Sequence, residues 1–176
     1  IYCLSGMTTM FRIYRYFLCL LSVIIAGAHL HAQAPAWVDI HSFGGANNDK
    51  TNHVLLDAGN NALYICGQFQ GANVDFDPSG GVANLTSNSG GANADIFIAK
   101  YNATTGAYLW SLAVGGNTNT DAAIRMALDG AGNIYVCGTF AGTADFNPLG
   151  APNNKVAAGT QDIFFARYNP AGLCNW

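Results

Sequence analysis

Asp57-Ala-Gly-Asn-Asn-Ala-Leu-Tyr-Ile-Cys-Gly-Gln-Phe69 and Asp129-Gly-Ala-Gly-Asn-Ile-Tyr-Val-Cys-Gly-Thr-Phe140 are two versions of one phrase. Each opens on an Asp with Gly and Asn close behind it. Those residues bond the local backbone or reach positive φ, so the opening reads as a tight turn. Each closes on Tyr-x-Cys-Gly-x-Phe within an apolar run, the composition of a strand. A turn feeding a strand therefore occurs twice.

The match extends in both directions. Asp75-Phe-Asp-Pro78 answers Asp145-Phe-Asn-Pro148, and Asp95-Ile-Phe-Ile-Ala-Lys-Tyr-Asn102 answers Asp162-Ile-Phe-Phe-Ala-Arg-Tyr-Asn169. Phe43-Gly-Gly45 answers Val114-Gly-Gly116, and Trp37, Trp110 and Trp176 recur beside short apolar runs. A period of this order signals a repeat architecture. The drift in spacing falls between the Cys and the Asp-Ile-Phe motifs, where a surface loop absorbs insertions. Each unit reads as four strands: 52–56, 63–69, 96–101 and 108–114, then 123–128, 134–140 and 163–168. The chain ends at Trp176 as the second copy of the fourth strand begins.

Composition agrees. All ten acidic residues are Asp, 21 residues are Gly and there is no Glu, so turn formers outweigh helix formers. With 51% hydrophobic residues in a 176-residue chain, a core can form. A net charge of −3 offers no basic field for nucleic acid. Several strands, Tyr64-Ile65-Cys66, Ile96–Ala99 and Ile163–Ala166, are apolar on both alternating sets. Such strands are built to be covered on both faces. Radially stacked four-stranded sheets achieve that.

The N-terminal segment reads differently. After residues 1–9, which carry no pattern, Arg12 and Arg15 precede an apolar run from Tyr16 to Ala28, and Ala32-Gln33-Ala34 follows. That is the layout of a secretory signal peptide over residues 1–34, expected to form a signal helix. The run is too short to span a bilayer. Without the leader, no membrane span remains and residues 35–176 form the repeat region.

The motifs together, from Trp37 to Trp176, resemble the SBBP class of β-propeller repeat, found in secreted and surface proteins, many of them bacterial. The resemblance implies an all-β fold of two four-stranded antiparallel blades, about 51–114 and 121–176, of an incomplete propeller. The strand 37–43 would complete another blade, and the remaining blades would belong to the same full-length protein. Trp37, Asp57, Asn60, Tyr64, Trp110, Asp129, Asn133 and Tyr135 are the structural repeat positions. Two blades do not close a ring of ~4–8.

Candidate chemistry is confined to the Asp positions. Asp75 and Asp77, with Asp145 and Asn147, flank Phe in matching loops and carry oxygens of the kind calcium takes. Competing with that is turn capping, in which each side chain bonds nearby backbone N–H groups. Cys66, Cys137 and Cys174 show no metal or redox spacing, and the repeated Cys pair reads as small apolar filler. His41, His53 and Arg125 have no counterpart in the other repeat, and no nucleophile elbow or phosphate loop accompanies them. The repeated Trp and Tyr suit inter-blade packing or a sugar-stacking platform.

The expected function is an exported, non-enzymatic scaffold or binding module at the cell surface. Loops 70–93 and 141–161 would meet a carbohydrate or protein ligand, and no cofactor is required. The alternatives are part of a polysaccharide lyase or hydrolase, and a calcium-dependent adhesion module.

Overall fold

The computed structural model describes residues 40–88, 91–116 and 118–176; the signal-peptide reading and Trp37 lie outside them. The described chain is all-β. Its strands are β1 (Lys50–Asp57), β2 (Ala62–Phe69), β3 (Val74–Asp75), β4 (Asn84–Leu85), β5 (Asp95–Asn102) and β6 (Tyr108–Val114) in the first repeat. The second repeat holds β7 (Ala122–Leu128), β8 (Ile134–Phe140), β9 (Thr143–Asp145), β10 (Asn154–Val156) and β11 (Asp162–Tyr168).

The first repeat is one antiparallel sheet in the order β1-β2-β5-β6. The second repeats that order as β7-β8-β11. In place of a fourth strand, the chain end touches β11 through a single Tyr168–Cys174 bridge. Asn175 N–H donates to the Arg167 carbonyl, and Arg167 N–H to that of Trp176. The loops expected at 70–93 and 141–161 each contain a two-stranded ribbon, β3-β4 and β9-β10. Residues 40–43, expected in a strand, form none. Phe43 instead packs on Phe76 (5.4 Å between ring centroids) and Tyr101 (5.5 Å), and Gly44 bridges Asp75.

Turn chemistry explains both hairpins. Asp57 accepts the Asn60 N–H (3.1 Å) and Asn60 Nδ2 (2.8 Å). Asp129 makes the same pair of bonds with Asn133, at 2.9 and 2.7 Å. The spacing differs by one residue, yet the clasp is the same. Asn61 and Gly132, with φ of 49° and 78°, then turn the chain into β2 and β8.

Pairing register gives each sheet two faces. On the first sheet the front face carries Tyr64, Cys66, Ile96, Ile98, Trp110, Leu112 and Val114. The back face carries Ile65, Phe69, Phe97, Ala99 and Tyr101. The front face packs on β7 and on the back face of the second sheet, Met126, Ile134, Val136, Phe140, Ala166 and Tyr168, in one continuous core. The back face of the first sheet is covered by Phe43, Val74 and Phe76, so β5 is buried on both sides as its sequence requires.

The second sheet departs from that expectation. Ile163 and Phe165 point to its front face, which no described element covers, and are 84% and 74% exposed. Their counterparts in the first repeat, Ile96 and Ile98, are each 1% exposed. The apolar pattern of β11 predicts cover on both faces; among the described residues only its back face has it.

Candidate functional site

The Asp-Phe-Asp/Asn-Pro loops are two copies of one cap. Asp75 Oδ1 accepts the N–H groups of Asp77 (3.0 Å) and Ala83 (2.9 Å). Asp145 Oδ1 accepts those of Asn147 (2.9 Å) and Asn153 (2.8 Å). Asp77 Oδ1 in turn accepts the Ser79 N–H (2.8 Å). Asn147 donates from Nδ2 to the Ala151 carbonyl and accepts the Cys174 N–H. The bonds from Ala83 and Asp77 hold the Asp75 carboxyl below its usual value. The four calcium candidates thus lie in pairs in two separate loops, and one oxygen of each accepts backbone N–H groups. Among the described residues no group of three or more His, Cys or Asp is placed to hold a metal ion.

Phe76 and Phe146, between those acids, are inward anchors. Phe76 meets Phe69 edge-on (5.4 Å, 86°) and Phe97 at a tilt (5.1 Å, 52°). Phe146 meets Phe140 (5.3 Å, 86°) and Phe164 (5.0 Å, 56°). Matching angles on matching rings show the repeat in three dimensions.

A second pair of acids escaped sequence reading. Asp49 accepts the Gly45 N–H (2.7 Å) and the Gln70 N–H (3.2 Å). Asp121 accepts the Gly116 N–H (2.9 Å) and the Ala141 N–H (2.6 Å). Each carboxylate ties the Gly-Gly ahead of its own repeat to the residue just past the Tyr-x-Cys-Gly-x-Phe strand. The available signal was Gly-Gly followed four or five residues later by Asp. Asp95, at the start of β5, accepts the Asn88 N–H on Oδ2 (2.6 Å), while its Oδ1 has no partner. Burial pushes the Asp95 carboxyl up to about 7, with the Asn88 bond opposing and Asp121 adding to the rise. Burial also raises Asp121, against the bonds from Gly116 and Ala141.

Two of the unrepeated polar residues, His53 and Arg125, sit at the seam between sheets. His53 Nδ1 accepts the Met126 N–H (3.2 Å), and Arg125 Nη1 donates to the Asn52 carbonyl (3.2 Å). His41 lines a cavity of about 230 Å³ with Phe43, Asp49, Phe76 and Phe97. Sequence asymmetry at these three positions does not gather them into one cluster.

The repeated aromatics lie on the front faces. Tyr64 packs on Trp110 (6.2 Å) under Lys100 (5.3 Å from its ring), and Tyr135 packs on Trp176 (6.0 Å) under Arg167 (5.9 Å). In the first repeat this triad is inter-sheet packing: Lys100 Nζ and Trp110 Nε1 both donate to the Pro170 carbonyl, at 3.2 and 3.1 Å. In the second it is open to solvent beside a cavity of about 340 Å³ that Trp176, Phe164, Phe165, Val156 and Lys155 line. Cys66 is buried at the seam, where its thiol is pushed up to about 12, chiefly by burial; the equivalent Cys137 is exposed.

Comparison with family models, curated proteins and solved structures finds no match. Among the described residues no helix is long and apolar enough to cross a membrane.

Proposed function

We propose that the chain is an exported, non-enzymatic scaffold of SBBP-type β-propeller blades, acting as a binding module at the cell surface. The observation that carries this is the doubling of the ring clusters on Phe76 and Phe146 together with the doubling of the Asp caps. Residues that recur are spent on holding sheets and turns. Residues free to differ lie in the ribbon-bearing loops 70–93 and 141–161, which rigid sheets present to a partner. The partner class is carbohydrate or protein.

Two measurements test the reading. N-terminal sequencing of product exported by a bacterial host is expected to begin at Gln33 or Pro35; retention of the whole chain inside the cell contradicts export. Labelled chain is then incubated with intact bacterial cells, untreated, oxidised with periodate or shaved with protease. Binding lost on one treatment supports the module and identifies its ligand class. Release of new reducing ends from polysaccharide would instead favour the lyase or hydrolase reading.

A further inference from the structure

The two sheets offer the same faces in different states. In the first repeat the front face is covered by the second sheet. In the second repeat the front face, with Tyr135, Cys137, Ile163 and Phe165, is open among the described residues. The back face shows the converse at its β1 edge. Register places Val54 opposite Ile65 and Met126 opposite Val136, so Val54 and Met126 are counterparts. Met126 is 6% exposed, covered by the first sheet, whereas Val54 is 52% exposed, and Leu56 beside it is also open. Among the described residues, the chain therefore carries an uncovered front face on its second sheet and an uncovered back-face edge on its first. The seam inside the molecule shows how such a front face and back face fit.

We propose that the front face of the second sheet docks a second copy of this chain through the β1 edge of that copy's first sheet. The docking is head-to-tail and repeats the internal seam. It rests on the repeat reading of the fold and adds a partner that the binding-module reading does not require. The occupant follows from complementarity already on view: Ile163 and Phe165 stand where Ile96 and Ile98 meet the second sheet, and Val54 stands where Met126 receives them. Polar contacts extend the match. Lys100 and Trp110 converge on the Pro170 carbonyl. Their counterparts Arg167 and Trp176 are similarly paired over Tyr135, and the counterpart of Pro170 is the exposed Ala103. Tyr, Trp and Arg are the residue types that dominate binding at interfaces. Because the two surfaces differ, the contact is heterologous and gives either a chain of copies or a closed ring.

The test is sedimentation of the full chain carrying Phe165→Asp (front blocked), Val54→Asp (back blocked), or neither. Both positions are exposed, so each variant is expected to keep the far-UV spectrum and melting temperature of the parent. The parent is expected to gain at least about twofold in average mass with concentration, and each variant alone to stay monomeric. Mixed one to one, the variants retain one intact face each and are expected to form a dimer that grows no further. A parent monomeric at every concentration overturns the proposal. So does association that persists in both single variants, which would place it elsewhere, or a mixture that stays monomeric. Should a variant fail to fold, alkylation of parent Cys137 gives an independent reading: docking slows it as concentration rises, and a rate independent of concentration overturns the proposal. Loss of self-association leaves the cell-binding assay unaffected, so the two readings fail separately.

Discussion

Asp121 is anchored through its N–H to the Ala94 carbonyl (2.8 Å), one residue before Asp95, and both carboxyls are buried there, at the point where the chain passes from one sheet to the next. Two acids of one sign share a site that excludes water. Asp121 offsets its burial with two backbone bonds, whereas Asp95 has one bond and an orphaned oxygen. Gly115 makes room for it, since a Cβ there would overlap the Asp95 carboxyl.

This pair sets the pH response. An acid raised from 3.8 to about 7 holds its proton longer in the folded chain than in the unfolded one. Folding stability therefore falls as pH rises from about 4 to about 7, then levels. Asp95→Asn is expected to remove most of that fall and to gain about 1 kcal/mol or more at pH 8, roughly 3 °C in a chain of this size. Asp75 and Asp129 are lowered and act in the opposite sense, losing their contribution only below about pH 4. Thermal melts from pH 4 to 8 decide it; a parent more stable at pH 7 than at pH 5, or a variant with the parent's slope, counts against the assignment.

The ring clusters predict a contrast between equivalent and non-equivalent phenylalanines. Phe76→Ala and Phe146→Ala each empty a buried aromatic site and are expected to cost about 3–4 kcal/mol. Phe165→Ala on the open face is expected to cost under about 1 kcal/mol in the monomer. Urea denaturation at low protein concentration measures all three, and similar losses at Phe165 and Phe146 would mean the front face is covered after all.

Gly67 and Gly138 are fixed by close approach of backbone. A Cβ at Gly67 would overlap the Lys50 carbonyl oxygen, and one at Gly138 the Ala122 carbonyl oxygen. Both lie opposite the irregularities in β1 and β7. Either change to Ala is expected to destabilise by about 2 kcal/mol or more, read by the shift of the urea midpoint. A neutral result at both positions would disprove the paired irregularity.

The Asp75 and Asp145 caps separate turn from metal. If their oxygens serve the backbone, Asp75→Ala lowers the melting temperature, and neither chelator nor millimolar calcium moves the parent. A calcium-dependent rise in the parent melt, lost in Asp75→Ala and Asp145→Ala, would restore the adhesion reading.

Sequence made the hairpins legible because Asp57, Asn60, Asp129 and Asn133 act within a few residues of themselves. The two sheets were legible because Tyr-x-Cys-Gly-x-Phe and Asp-Ile-Phe carry strand chemistry in copies. The ribbons β3-β4 and β9-β10 were not, since two or three residues are too few to show alternation. Asp49 and Asp121 were missed because their partners, Gln70 and Ala141, lie about twenty positions away. For β11 the apolar pattern predicted cover on both faces, yet Ile163 and Phe165 are exposed among the described residues, because a pattern records composition and not which element packs against it.

Alkylation of the native thiols, mapped peptide by peptide at high dilution, tests most directly that the two sheets stack front to back. Cys66 and Cys137 are the same residue in the two copies, one inside the seam and one on the open face. Stacking predicts that Cys137 is modified promptly and Cys66 only as fast as the whole chain unfolds. Modification of both at one rate under native conditions would mean that the second sheet does not cover the first.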